Sequence, residues 1–374
     1  MSHHIWPQWL PLRSDLRNLS PYGAPQLPSL AQLNTNENPY PPSAKLVSAI
    51  SKRVDEVAST LNRYPDRDVV ELRRELANFL NHRSVTNLSY ENIWAANGSN
   101  EVIQSLFLAF GGEGALGFTP SYSMHPLIAQ VTRTAWINGE RNPDFSLDVA
   151  LASAQIRDIK PKLVFVTTPN NPTGTSVPLG DIEELAKVTA EVGGLLIVDE
   201  AYAEFSKGPS AITLLGALSN LVVVRTMSKA FAFAGARVGY LAADKEVISA
   251  LQLVRLPYHL GAVTQAIALV ALEHQGELLA NVEILVADRD RLAHQLQKLG
   301  AKVIPSSANF LLFTVPSSKQ IWQSLLDQGV LIRDVGLSGY LRVTVGNAAE
   351  NQRFVEALAN SLTNSSGKSL GGKI

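Results

Sequence analysis

The chain has no cysteine among its 374 residues. That excludes a disulfide scaffold and thiolate chemistry, and it is compatible with a reducing cytoplasm. Neither sign of charge is in excess: 32 basic against 33 acidic side chains leave a net charge of −1. No polyanion-binding field is implied, so neither nucleic acid nor a membrane surface is an expected partner. Long hydrophobic runs are missing too. The most apolar helical stretch, "GAVTQAIALVALEHQ", is interrupted by Gln265 and closes on Glu273, too short and too polar to span a bilayer. The opening "MSHHIWPQWLPLRSDLR" has no basic region followed by an apolar core, so a secretory signal is not expected. The seven histidines show no metal-ligand spacing, and no metal is expected. The expectation is a soluble, cytoplasmic protein.

What is present is an α/β pattern. The first forty residues, rich in Pro, Asn and Gly, read as an extended arm. Leu46, Val47, Ile50, Val54, Val57 and Leu61 then recur at helical spacing, and a second helix carries Val69, Val70, Leu72, Leu76 and Phe79. From "NIWAAN" onward, short continuous apolar runs alternate with helices: "ALGFT", "KLVFVTT", "GLLIVDEAY" and "LVVVRTMS". Such runs suit a mostly parallel sheet covered by helices on both faces. A helical stretch from Gly261 to about Leu299 leads into "ANFLLFTV", "VLIRDV" and "LRVTVG", which read as a smaller α+β domain. The expected division is 1–62 for the arm and part of the small domain and 63–260 for the large domain. Residues 261–362 form the interdomain helix and small domain, and 363–374 a flexible tail.

Two apparent phosphate motifs fail on context. "GEGALG" (Gly112 to Gly117) fits the dinucleotide fingerprint, but a helix precedes it and a strand follows, the reverse of what that fingerprint needs. The tail's "GKS" has Leu362 where a phosphate loop carries its first glycine.

Lys229 is harder to dismiss. It sits among Ala, Phe and Gly directly after the run "LVVV" (Leu221 to Val224), company that a strongly hydrated lysine seldom keeps. A surface lysine on a turn is the competing reading. Thr226, Ser228 and Arg237 lie close by, with Gly235 and Gly239 to let backbone approach; together they are equipment for holding a phosphate. A lysine beside a phosphate in partly apolar surroundings can lose its proton and attack a carbonyl. Gly98, Ser99 and Asn100 at a helix start offer a second anion cradle, with Ser99 or Asn100 as an ordinary cap the alternative. Asp199 ends an apolar strand and could hold a protonated ring nitrogen, with Tyr202 near an oxygen. Asn171 in "TTPNNPTG" could add an amide, and Tyr122 in "TPSYSM" could stack on a flat ring. Singly, each has a structural explanation. Together they suit pyridoxal 5'-phosphate, with Lys229 as the Schiff-base lysine and Asp199 as the pyridinium partner.

With these residues in view, the sequence resembles the fold-type-one pyridoxal-phosphate aminotransferases, and more closely the histidinol-phosphate aminotransferases of the actinobacterial kind. The resemblance is carried by "LNTNENPYPPS", "LNRYPDRD", "WAANGSNE", "GFTPSYSMHP", "VFVTTPNNPTG", "VDEAYAEF", "RTMSKAFAFAGARVGY" and "VLIRDVG", and it covers nearly the whole chain except the tail. It implies an aspartate-aminotransferase-like fold and transamination between L-histidinol phosphate and 2-oxoglutarate by a ping-pong mechanism. By the same resemblance Lys229 forms the internal aldimine and shuttles the proton. Asp199 pairs with the pyridinium, Asn171 and Tyr202 contact the ring oxygen, and Tyr122 stacks. Gly98, Ser99, Asn100, Thr226, Ser228 and Arg237 hold the phosphate. Tyr64 reaches a phosphate in the partner subunit of a homodimer. Tyr22, Asn38, Arg333 and Arg342 line the substrate site. Thr226 stands where many relatives have serine, but its hydroxyl can make the same bond. Three alternatives remain at this level: an aromatic amino-acid aminotransferase, a pyridoxal-phosphate lyase or decarboxylase, and a cofactor-binding regulatory protein, for which no DNA-binding segment is visible.

Overall fold

The structure, a computed structural model, describes residues 6–17, 19–21 and 23–368, with side chains described to Thr363. In chain order the elements begin with β1 (Ala31–Gln32), α1 (Ala44–Ala58), α2 (Val70–Ser84), β2 (Ile93–Ala96) and α3 (Ser99–Phe110). There follow β3 (Ala115–Thr119), α4 (Met124–Val131), β4 (Trp136–Glu140), α5 (Val149–Ile159), β5 (Leu163–Thr167) and α6 (Leu179–Glu191). Next come β6 (Leu195–Asp199), β7 (Leu221–Thr226), β8 (Gly239–Ala243), α7 (Lys245–Val254), α8 (Ala262–Glu273) and α9 (Gln275–Lys298). The chain closes with β9 (Phe310–Thr314), α10 (Ser318–Asp327), β10 (Val330–Leu331), β11 (Tyr340–Thr344) and α11 (Ala348–Lys368).

Seven strands form the large sheet in the order β2-β8-β7-β6-β5-β3-β4. Only β8 breaks the parallel arrangement, pairing antiparallel with both β2 and β7. The inner strands β5, β6 and β7 are apolar runs up to their carboxyl ends because both sheet faces are covered there. Along β6 and β7 the side chains alternate between two cores: Val198 and Val223 join the one containing α2, α5 and α6, while Ile197, Val222 and Val224 join the one containing α3 and α7. That period of two puts Asp199 and Thr226 on the same face at the carboxyl ends of their strands.

The smaller unit is built on the antiparallel pair β9 and β11, with α10 and α11 packed against it. β1 pairs in parallel with β10, so the arm is stitched into the C-terminal unit before it runs on to the large sheet. The helical stretch expected from Gly261 to about Leu299 is two helices. The break falls at His274, beside Gly276, where a glycine weakens helix continuity. The last helix runs past Leu362 to Lys368. At the start of α1 the Ser43 side chain accepts from the Leu46 amide at 3.1 Å, a cap worth about 1 kcal/mol.

Candidate active site

A cavity of about 670 Å³ lies at the carboxyl ends of β5, β6 and β7, between the large sheet and the β11 side of the small unit. It is lined by Ser99, Asn100, Tyr122, Asn171, Asp199, Tyr202, Thr226, Ser228, Lys229, Arg237, Arg333 and Arg342. Residues spread over some 240 positions of sequence thus converge on one space, roughly as expected for ligand groups at strand ends.

At one end are donors. The N-cap of α3 is Gly98, at φ 88°, and no side chain caps the helix. Neither Ser99 nor Asn100 acts as the ordinary cap that was the alternative reading, so the first-turn N–H groups remain available to a ligand. Gly98 is required by its neighbour as well: a Cβ there would stand 2.5 Å from the Arg237 guanidinium. Gly239 lets β8 press against the Gly98–Ser99 backbone, whereas Gly235 has open space around it. The Thr226 hydroxyl accepts from the Ser228 amide at 3.1 Å and lies 3.0 Å from the Ser228 hydroxyl. Uncapped helix amides, two hydroxyls and a guanidinium are together able to hold a phosphate dianion.

At the other end is an acid. Asp199 is buried, lies 3.1 Å from Nε2 of the equally buried His125, and accepts from the Ala201 amide at 3.1 Å. His125 opens α4 and meets the Tyr122 ring edge-on at 5.3 Å. The sequence shows the seven histidines only as lacking metal-ligand spacing, and His125 is not among the expected site residues. Its only signal is its position three residues after Tyr122, in the first turn of the helix that follows β3. Tyr122 donates to Asn100 at 3.1 Å, which holds its ring over the space between acid and donors.

Lys229 lies between the two ends. Its amine donates to the Thr35 carbonyl at 2.9 Å, so the arm itself crosses the site. Burial lowers its pKa from 10.5 to about 8, helped by the Arg342 and Arg237 charges and opposed by Glu37. A lysine so tuned is neutral in a useful fraction near neutrality. Capture of an aldehyde by the cofactor-free protein is therefore expected to rise with pH through a midpoint near 8. A stopped-flow series across pH checks this, and a midpoint near 10.5 contradicts it.

The remaining polar groups form one network. The Tyr202 hydroxyl accepts from Asn36 at 2.9 Å and from Asn171 at 3.4 Å. Arg342 donates to the Asn171 side chain at 2.6 Å and to the Asn34 carbonyl at 2.8 Å. Arg333 and Arg342 face each other across an antiparallel bridge. Among the described residues the Arg333 guanidinium makes no hydrogen bond or ion pair. The neighbouring Asp334 accepts from the Gly336 amide at 2.9 Å and not from Arg333. Asn38 does not line the cavity; its side-chain amide donates to the Ala230 carbonyl at 3.4 Å. Tyr64 does not line the cavity; it is 78% exposed and stacks on Tyr258 with ring centroids 4.3 Å apart. Tyr22 lies outside the described residues. Chemically, the arrangement fits a planar ring with a phosphate at one end and a basic nitrogen at the other, held beside a reactive amine.

The family model described as aminotransferase class I and II matches residues 28–358. A histidinol-phosphate aminotransferase of Mycobacterium sp. (strain JLS) is 56% identical over 354 residues, covering 94% of this chain and 93% of the relative. The crystal structure of histidinol-phosphate aminotransferase from Sinorhizobium meliloti in complex with pyridoxal-5'-phosphate superposes with a TM-score of 0.84 at 22% identity, covering 97% of this chain and 100% of the other. A Thermus thermophilus aspartate aminotransferase mutant gives a TM-score of 0.79 at 24% identity, covering 94% and 99%. These two structures establish the aspartate-aminotransferase-like fold.

Proposed function

Because the chain belongs to aminotransferase class I and II, and within it to the histidinol-phosphate aminotransferases, we propose that it transfers the amino group of L-histidinol phosphate to 2-oxoglutarate, giving imidazole-acetol phosphate and L-glutamate, in histidine biosynthesis. The observation that carries the reading is Lys229, a softened amine set between a phosphate nest and a buried His125–Asp199 pair.

Bound in this cavity, pyridoxal 5'-phosphate supplies an electrophilic carbonyl and an electron sink that stores the amino group between the two half-reactions. The chain's own residues do the rest. The α3 amides, Thr226, Ser228 and Arg237 hold the phosphate. Asp199, oriented by His125, keeps a proton on the ring nitrogen. Asn171 and Tyr202 direct hydrogen bonds to the ring oxygen, and Tyr122 covers one ring face. Lys229 is the base that moves the proton at the substrate Cα. Arg342 is already engaged by Asn171 and Asn34, which fixes its fork for a carboxylate or phosphate oxygen. Arg333 brings a second cation to the same rim and is the reader of the substrate phosphate. The aromatic amino-acid alternative is not favoured by the relatives. Single-turnover amino transfer from histidinol phosphate, faster than from phenylalanine, is the test.

A homodimer follows from Tyr64 in this reading. Its ring is exposed and stacked on Tyr258, and Leu61, Leu253 and Leu256 nearby in sequence are exposed as well, apolar groups that suit contact with a second copy. Tyr64 then serves the phosphate nest of the other subunit and not its own. Mixing Lys229→Ala with Tyr64→Ala protein, after dissociation and reassociation, is expected to recover activity in the mixed dimers that hold one intact site. No recovery, with mixed dimers present by mass, contradicts a shared site. No described helix is long and apolar enough to cross a membrane, and cytoplasmic residence is the reading that goes with a biosynthetic role.

A further inference from the structure

On the sheet face opposite the cavity, a buried ion cluster closes the ladder between β6 and β7. The last paired rung is Asp199 opposite Val224, and the Glu200 amide still donates to the Val224 carbonyl at 2.9 Å. The next rung is therefore Glu200 opposite Arg225. Their side chains meet at 2.7 Å, and Arg225 also reaches Glu204 at 2.7 Å; all three side chains are buried. Ser210 donates to Glu200 at 2.7 Å and accepts from Arg225 at 2.9 Å, and the Ala211 amide donates to the other Glu200 oxygen at 2.7 Å.

Glu200 follows Asp199 directly, and Arg225 directly precedes Thr226. Asp199 and Thr226 both line the cavity, and in the proposed function they serve the ring nitrogen and the phosphate respectively. Side-chain alternation sends their neighbours to the far face, where the cluster joins them. Neither Glu200 nor Arg225 touches the cavity, and the proposed mechanism uses neither. Three charged groups are seldom buried behind a site only for stability, because desolvation offsets much of their attraction. Here they span the two backbone positions whose separation must match the length of one ligand.

We propose that Arg225, bridging Glu200 and Glu204, is a positioning residue that sets the spacing between Asp199 and Thr226 and so fixes the cofactor at both ends. The proposal rests on the reading of the cavity as a pyridoxal-phosphate site. Arg225 has a rigid two-pronged fork, and lysine at this position keeps the charge but cannot hold both carboxylates in one plane.

The test uses full-length apoprotein of wild type, Arg225→Lys, and a neutral triple variant, Arg225→Met with Glu200→Gln and Glu204→Gln. The triple variant leaves no buried carboxylate without a partner. Three quantities are measured: thermal midpoint of the apoprotein, pyridoxal 5'-phosphate dissociation constant by absorbance titration, and the pH midpoint of the bound cofactor's visible spectrum. Folded Arg225→Lys is expected to bind about tenfold more weakly, with a shifted spectral midpoint, as small displacements of held groups do. If it does not fold, the triple variant decides by the same two readouts. A folded variant with wild-type affinity and an unshifted midpoint overturns the positioning role and leaves the functional reading intact. Wild-type protein that takes up no cofactor overturns both.

Discussion

Lys229→Ala is expected to lower kcat on the order of 10⁴-fold or more, since positioned acid–base groups alone contribute about 10²–10⁴ and this amine also serves as the nucleophile. The protein should nevertheless fold. Burial depresses the lysine pKa from 10.5 to about 8, so at neutral pH the folded state holds a cation it disfavours. The unfolded chain binds more protons than the folded one between about 8 and 10.5, and stability contributed by this group rises with pH across that window. Below about 8 its penalty is present in full. Alanine removes that penalty, and the thermal midpoint of the apoprotein should be equal or higher. The phosphate nest is untouched, so cofactor is expected to be retained noncovalently in titrations. Near-normal turnover in purified variant contradicts the assignment of Lys229.

Arg333→Ala is expected to separate substrates. Charge-assisted hydrogen bonds are worth about 1.5–3 kcal/mol, so loss of one phosphate contact should lower kcat/KM for histidinol phosphate by roughly ten- to a hundredfold. Phenylalanine, with no phosphate, should lose much less. The reason lies in the division of labour between the two arginines. Arg342 is bonded to Asn171 and to the Asn34 carbonyl, and its removal would disturb the cavity wall for every substrate. Arg333 has no such ties among the described residues and can be removed cleanly. Steady-state kinetics with both amino donors check this, and equal losses remove Arg333 as a phosphate reader.

The sheet strands were legible because burial on both faces makes them continuous apolar runs, and Asp199 was legible as the acid that directly ends such a run, with Glu200 next to it. Lys229 stood out by its company. Other parts depend on adjacency that spacing does not encode. His125 matters because α4 packs beside the end of β6, which no local pattern around it states. The arm's role was half visible: its extended character follows from Pro and Asn, but not the Thr35 carbonyl meeting Lys229, nor Asn36 meeting Tyr202. The α3 cap fell to Gly98 and not to a side chain because Arg237 and β8 crowd that turn. The Glu200–Arg225 rung needs strand register, which only the paired ladder supplies. The break at His274 was hidden because the apolar period runs on across it.

The identity of the amino donor decides what this enzyme does. The most direct measurement is a stopped-flow absorbance record of the cofactor-loaded enzyme mixed with L-histidinol phosphate or with L-phenylalanine at matched concentrations. Conversion to the aminated cofactor should be much faster with histidinol phosphate, because only that substrate engages Arg333 and Arg342 through a phosphate. Faster conversion with phenylalanine contradicts the account.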